Sequence, residues 1–255
     1  MILWAFNALL ALYLLAPVLV VAATAFTTTA YPVFPPRGFT WRWFGAVLSS
    51  REFMDAMQTS AILAAASTLI ATVLGTLAAL GLTRGQFRGK PAVAATFLSP
   101  IFFPAIVLGL ALLIFYTRVG LAGTLPGMIA AHAVLTTPFV IRMVMASLAE
   151  FDPAVEEAAE NLGASALRTF FQVTLPLVRP GIVAGAVFAF ILSFDELVVS
   201  LFLAGPGLQT LPIRIFTALE YSSRPDVSAV STMLILVWML VGVPLYARFL
   251  NVRHA

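Results

Sequence analysis

Long charge-free stretches alternate with short charged ones along this chain. Met1–Pro36 contains no Asp, Glu, Lys or Arg, and its apolar part is Ile2–Phe26. Similar runs follow at Ala56–Thr83, Pro91–Thr117, Val119–Ile141 and Val227–Ala247. Between the last two, Pro180–Ile213 is interrupted only by Asp195-Glu196. A helix needs about 20 apolar residues to cross the hydrocarbon core, and each run is long enough. None shows the period-two alternation of a membrane barrel. The pattern predicts an all-α membrane protein with six transmembrane helices, near residues 2–26, 57–83, 92–116, 126–148, 181–203 and 227–250. Residues 1–255 read as one transmembrane domain, without an internal repeat or a second soluble domain. The first run lacks a basic leader and exceeds the apolar core of a signal peptide, so it is expected to stay as a span.

Composition agrees with this picture. Of 255 residues, 61% are hydrophobic and 10% charged, and the mean hydropathy is +1.02. A soluble domain is about 45–50% apolar and about 25% charged, so a free globule cannot cover this surface. Disorder is excluded for the same reason. The absence of cysteine rules out a disulfide scaffold, a thiolate metal site and cysteine catalysis. Two histidines, His132 and His254, leave little for metal or base chemistry, and we predict neither a metal site nor catalytic residues. A net charge of +3 fits basic loops beside a membrane better than a nucleic-acid face, since no window is strongly basic.

Orientation is read from Lys and Arg in the short loops. With the N-terminus inside, Arg84, Arg88, Lys90, Arg142, Arg168, Arg179, Arg248 and Arg253 are cytoplasmic. Arg37, Arg42, Arg51, Arg118, Arg214 and Arg224 are external. The tight Arg84/Arg88/Lys90 cluster carries most of this argument. Both termini and the Glu150–Pro180 segment are then expected in the cytoplasm, with the whole chain multi-pass in a cell (inner) membrane.

Several apolar-run residues have structural readings. Tyr31–Arg51 is expected to be an irregular outer segment whose Phe39, Trp41, Trp43 and Phe44 form an interfacial aromatic belt. Pro100, Pro104 and Pro138 are candidates for kinks. Gly75, Gly81 and Gly109 are expected to permit close helix packing, and His132 to be an interhelical hydrogen-bond donor.

The one long polar stretch, Glu150–Arg179, has helix signals throughout. Asp152 can cap and Pro153 suits a first helical position. Glu156 and Glu157 follow where the positive dipole end favours acids. Gly163 ends or bends this helix, Ser165 caps a second short one, and Leu175-Pro176 stops that before the next span. Within it, Glu157-Ala158-Ala159, three residues, Gly163, nine residues and Val173-Thr174-Leu175-Pro176 resemble the "EAA" motif of ABC importer permeases. Val173 in place of Ile is a mild departure. The resemblance implies the type I ABC importer permease fold, with Glu157, Ala158, Ala159, Gly163, Leu175 and Pro176 in a cytoplasmic coupling helix that docks on an ATPase. It also implies the partners: a second permease subunit, an ATPase dimer and an external solute-binding protein. This chain has no G-x-x-x-x-G-K-[ST] phosphate loop, so ATP and Mg are expected on the separate ATPase and no cofactor on this chain.

Asp195 and Glu196 lie deep in the fifth run, where a charge costs at least a few kcal/mol and usually serves function. On a continuous helix they point about 100° apart. One is expected to face a pathway and the other to pair with a base or a helix end. Ser193-Phe194-Asp195-Glu196-Leu197-Val198-Val199-Ser200, the Gly205-Pro206-Gly207 turn and Thr210-Leu211-Pro212 resemble the spermidine/putrescine (polyamine) branch of these permeases. That resemblance implies a cationic solute moved by alternating access, with Asp195, Glu196, Ser193, Glu220 and Tyr221 lining the pathway. Carboxylates and aromatic faces suit ammonium groups, whereas an anion path would use Arg, Ser or helix N-termini. The alternatives are a permease for another small organic solute or ion, or an autonomous secondary transporter or channel. The last would show a duplicated half and paired broken spans.

Overall fold

The computed structural model describes residues 2–150, 152–222 and 224–252. Arg253 and His254, and with them the expected placement of the C-terminus, lie outside the described residues. The helices in chain order are α1 (Ile2–Thr24), α2 (Arg42–Ser49), α3 (Arg51–Arg84), α4 (Lys90–Leu98), α5 (Ala105–Val119) and α6 (Leu125–Ala149). They continue with α7 (Ala154–Asn161), α8 (Ala166–Thr169), α9 (Leu175–Asp195), α10 (Val198–Leu203), α11 (Leu211–Tyr221) and α12 (Pro225–Val252). A 3-10 turn, Ser99–Phe102, prolongs α4, and a π turn, Phe170–Thr174, joins α8 to α9.

Each of the six charge-free runs contains helix, but two of them are not single straight spans, and in the last only Pro225–Leu240 counts as an apolar helix, shorter than a full span. Among the described residues, four helical stretches have the length and apolarity to cross a membrane: Leu3–Thr24, Arg51–Arg84, Leu125–Ala149 and Ala166–Asp195. The third run breaks at Phe103-Pro104, and its halves, Lys90–Phe102 and Ala105–Val119, meet at 108°. Pro104 cannot donate to the ladder and flanks the start of α5, which accounts for the break at this place. Pro138, by contrast, sits inside unbroken α6. Nearby hydroxyls serve the carbonyls of that stretch: Thr136 Oγ1 donates to His132 O at 2.8 Å and Thr137 Oγ1 to Ala133 O at 2.6 Å. The fifth run also departs from expectation. Its helix stops at Asp195, leaves Glu196-Leu197 non-helical and restarts as α10.

The chain forms two compact units. The first comprises Met1–Ala56 and Arg214–Ala255, with α12 packed on α1 and α2. Thr24 Oγ1 donates to Ser228 Oγ at 3.1 Å. The segment expected to be irregular holds α2, and Trp43 and Phe44 are buried in this unit rather than exposed in a belt. The Trp43 indole N–H donates to Thr27 O at 2.8 Å, while the Arg42 and Arg224 guanidinium groups lie 4.4 and 5.6 Å from its ring centroid. Trp41 and Phe39 stay exposed, as an interfacial role requires.

The second unit, Met57–Ile213, is built on α6 against α9. Between apolar helices in lipid, close van der Waals packing replaces the hydrophobic effect, so small residues mark the seam. A Cβ at Gly181 would meet Ser147 at 2.6 Å, and one at Gly185 would meet Val140 Cα at 3.1 Å. Val140, Ile141, Val144, Val178, Ala189 and Ala71 fill the core around this seam. A second cluster joins Leu63, Tyr116, Met128, Ala131, Val199 and Leu203. Gly75 packs on Val140 and Gly109 on Phe202 as expected of close-approach glycines, but Gly81 faces open space.

Candidate functional sites

The first site is the α7–α8 segment. Asp152 Oδ1 accepts from Ala154 N at 2.9 Å and so holds the first amide of α7, with Pro153 at the cap position rather than the first helical one. Gly163 ends it with φ +88°, the left-handed conformation that a Cβ disfavours. Ser165 Oγ accepts from Arg168 N at 3.4 Å and opens α8. Leu175-Pro176 does not stop this second helix. The π turn widens the ladder, Leu175 N donates to Phe170 O, and helix continues from Ala166 to Asp195. The wider turn precedes Pro176, which has no N–H to offer a regular ladder.

Glu157 and Ala158 are exposed on α7, Ala159 is half-buried, and no residue of α7 is buried. Leu175 is half-buried and Pro176 exposed at the start of α9. An outward row of apolar side chains accompanies them, with Leu162 90%, Leu167 73% and Phe171 60% exposed. The residue that ties this segment to the rest of the unit is Glu156. One carboxylate oxygen lies 2.9 Å from Arg84 Nη2 and the other accepts from Thr174 Oγ1 at 2.6 Å. Sequence reasoning missed this clasp, because its three members are far apart in the chain. It brings the basic end of α3 and the α7 segment to one end of the unit.

The second site is the gap between α9 and α10. Asp195 is the last residue of α9 and is exposed. Glu196 is half-buried and turns back over the gap. Its Oε1 accepts from Val199 N at 3.0 Å and its Oε2 from Ser200 N at 2.9 Å. These amides have no helical partner at the start of α10, so a carboxylate there satisfies both donors. The two acids thus differ by more than an angle: Glu196 serves the backbone, and Asp195 does not. A Glu just ahead of Val198-Val199-Ser200 was the available sequence signal for this capping role.

Ser193, expected on a pathway, is instead buried. Its hydroxyl lies 2.9 Å from Ser67 Oγ and 2.8 Å from His132 Nδ1, and His132 Nε2 is 3.0 Å from Ser200 Oγ. His132 is therefore the interhelical partner its sequence context suggested. Glu220 and Tyr221 are exposed at the end of α11, in the part of that helix that belongs to the other compact unit.

Comparison with known proteins identifies this architecture. The family described as "Binding-protein-dependent transport system inner membrane component" matches residues 71–251. The chain belongs to this family. The permease is 35% identical over 237 residues to the putrescine transport system permease protein PotI of Escherichia coli K12, covering 90% of this chain and 84% of that protein. It is 32% identical over 238 residues to the spermidine/putrescine permease protein PotC of the same strain, covering 92% and 90%. Its fold matches a chain in the crystal structure of a bacterial ABC transporter that imports alginate. The TM-score is 0.73 with 16% identity, and the match covers 97% of this chain and 96% of that one. The permease is thus an inner-membrane, multi-pass subunit of an ABC importer. It is a transport subunit rather than an enzyme, and ATP hydrolysis belongs to a separate subunit.

Proposed function

We propose that this permease moves a small cationic organic solute of the polyamine class by alternating access. It would work beside a second permease subunit, a pair of ATPase subunits that hold ATP and Mg, and an external solute-binding protein. Both termini would lie in the cytoplasm. The exposed α7 helix, with Glu157, Ala158, Ala159 and Gly163, would seat on an ATPase, with Leu175 and Pro176 leading into the span that moves. Relatives named for putrescine and spermidine support the solute class.

The observation that carries the solute reading is the exposed carboxylate of Asp195 at a helix break within an apolar run. A cation passing without its full water shell needs such a partner. Two unit charges about 4 Å apart attract by about 4 kcal/mol at an effective dielectric of 20. Glu196 supports the gap instead.

Uptake of radiolabelled putrescine or spermidine by proteoliposomes holding the full transporter tests this. Asp195→Asn keeps the shape and deletes the charge, so uptake is expected to fall strongly while assembly and basal ATP hydrolysis persist. Wild-type uptake by that variant, or a wild type that carries only neutral or anionic solutes, would overturn the cation reading. The family membership would stand in either case.

A further inference from the structure

His132 is fully buried on α6, and its two ring nitrogens contact both sides of the break in the fifth run. Ser193 belongs to α9, two residues before Asp195, and Ser200 belongs to α10. A single imidazole therefore bridges the two helical pieces that flank Glu196-Leu197. The contacts continue at each end, from Ser193 to Ser67 of α3 at 2.9 Å and from Ser200 Oγ to Glu196 O at 3.0 Å.

Counting protons gives this chain a direction. Each serine hydroxyl has one proton to donate, and a neutral imidazole has one N–H and one acceptor nitrogen. The Ser200 N–H is taken by the Glu196 carboxylate, so the Glu196 carbonyl receives the Ser200 hydroxyl proton instead. With that proton committed, Ser200 Oγ can only accept from the ring, and Nε2 must carry the hydrogen. Nδ1 is then the acceptor and Ser193 donates to it, while Ser67 donates to Leu63 O at 2.8 Å inside α3 and lies 2.9 Å from Ser193 Oγ. The directed part runs from Ser193 through His132 and Ser200 to the Glu196 carbonyl. A buried network whose members all have partners rigidifies the helices it joins.

We propose that His132 is a positioning residue: neutral and protonated on Nε2, it locks α9 to α10 across the gap and so sets where the Asp195 carboxylate sits. This rests on the reading that Asp195 meets the transported cation. Asp195 is the residue between the bridged Ser193 and the capping Glu196 that remains exposed, at the hinge of the two pieces.

Two measurements on the complete transporter in lipid test the proposal. The chain contains two histidines, so His254→Gln leaves His132 as its single imidazole. In nitrogen-15 NMR of that histidine-labelled permease, the neutral Nε2–H tautomer is expected. The Nδ1–H tautomer or an imidazolium would overturn the directed chain without any change at position 132. The second measurement uses Asp195→Cys in this cysteine-free chain and its rate of modification by a cationic methanethiosulfonate. Adding His132→Leu is expected to change that rate by about tenfold, the size of losing one or two net hydrogen bonds. Adding His132→Gln, whose amide can accept from Ser193 and donate to Ser200, should keep the rate within about twofold. An unchanged rate with leucine would overturn the positioning role. If Asp195→Asn transports normally, the solute role of Asp195 falls, while the tautomer and labelling results still decide the role of His132.

Discussion

Arg84 Nη2 and a carboxylate oxygen of Glu156 meet at 2.9 Å, while the second oxygen of Glu156 holds Thr174. One side chain on α7 thus grips the end of α3 and the π turn below α9. A displacement of α7 would reach two long helices through this clasp. The neighbouring Glu157 points outward, so adjacent glutamates divide into an inward anchor and an exposed face.

The anchor predicts a measurable coupling. The Arg84 and Glu156 side chains are 32% and 19% exposed, so solvent screens the pair and its contribution is modest, about 1 kcal/mol or less. A thermal-stability double-mutant cycle of Glu156→Gln and Arg84→Gln should show an interaction energy of that size. Glu156→Ala also removes the Thr174 contact and should further reduce solute-stimulated ATP hydrolysis in the reconstituted transporter. Strict additivity together with unchanged stimulation would refute the clasp.

Gly163 predicts a backbone effect rather than a steric one. A Cβ there meets nothing within 4 Å, but φ is +88°. Gly163→Asn should be tolerated, because Asn accepts left-handed backbone, whereas Gly163→Val should destabilise the α7 terminus by about 1–2 kcal/mol. Gly163→Asp should insert normally yet abolish solute-stimulated ATP hydrolysis if an ATPase approaches closely here. Normal stimulation by the Asp variant would argue against docking at this turn.

Orientation is open to thiol labelling. Single cysteines replacing Lys90 and Arg168 should be protected from an impermeant reagent on intact cells, and those replacing Gly38 and Gly123 should react. Reaction at 168 without reaction at 38 would invert the proposed topology.

Helix packing separates glycines that look alike in sequence. A Cβ at Gly75 would come within 2.8 Å of buried Val140, whereas one at Gly81 meets nothing within 4 Å. Gly75→Ala should lower the melting temperature, with overpacking costing about 1–3 kcal/mol. Gly81→Ala should be neutral or slightly stabilising, since alanine is the better helix former. Equal effects at both positions would contradict this packing.

Much of this protein was determined locally, by the sequence alone. Charge-free runs long enough for the bilayer placed every major helix, because lipid accepts only backbone that satisfies itself. The motif from Glu157 to Pro176 pointed to the permease family, and Asp152, Gly163 and Ser165 marked helix ends through short-range backbone chemistry. Tertiary structure decided the rest. Gly75 and Gly81 carry no label for which one will face Val140. Asp195 and Glu196 were expected to divide their roles, but only the helix stop between them decided that Glu196 is the one with two amides to cap. Arg84, Glu156 and Thr174, like Ser67, His132, Ser193 and Ser200, became sites only when separate helices brought them together. A hydrogen bond needs its partner within about 3 Å, and packing of the whole unit, not spacing along the chain, sets that distance.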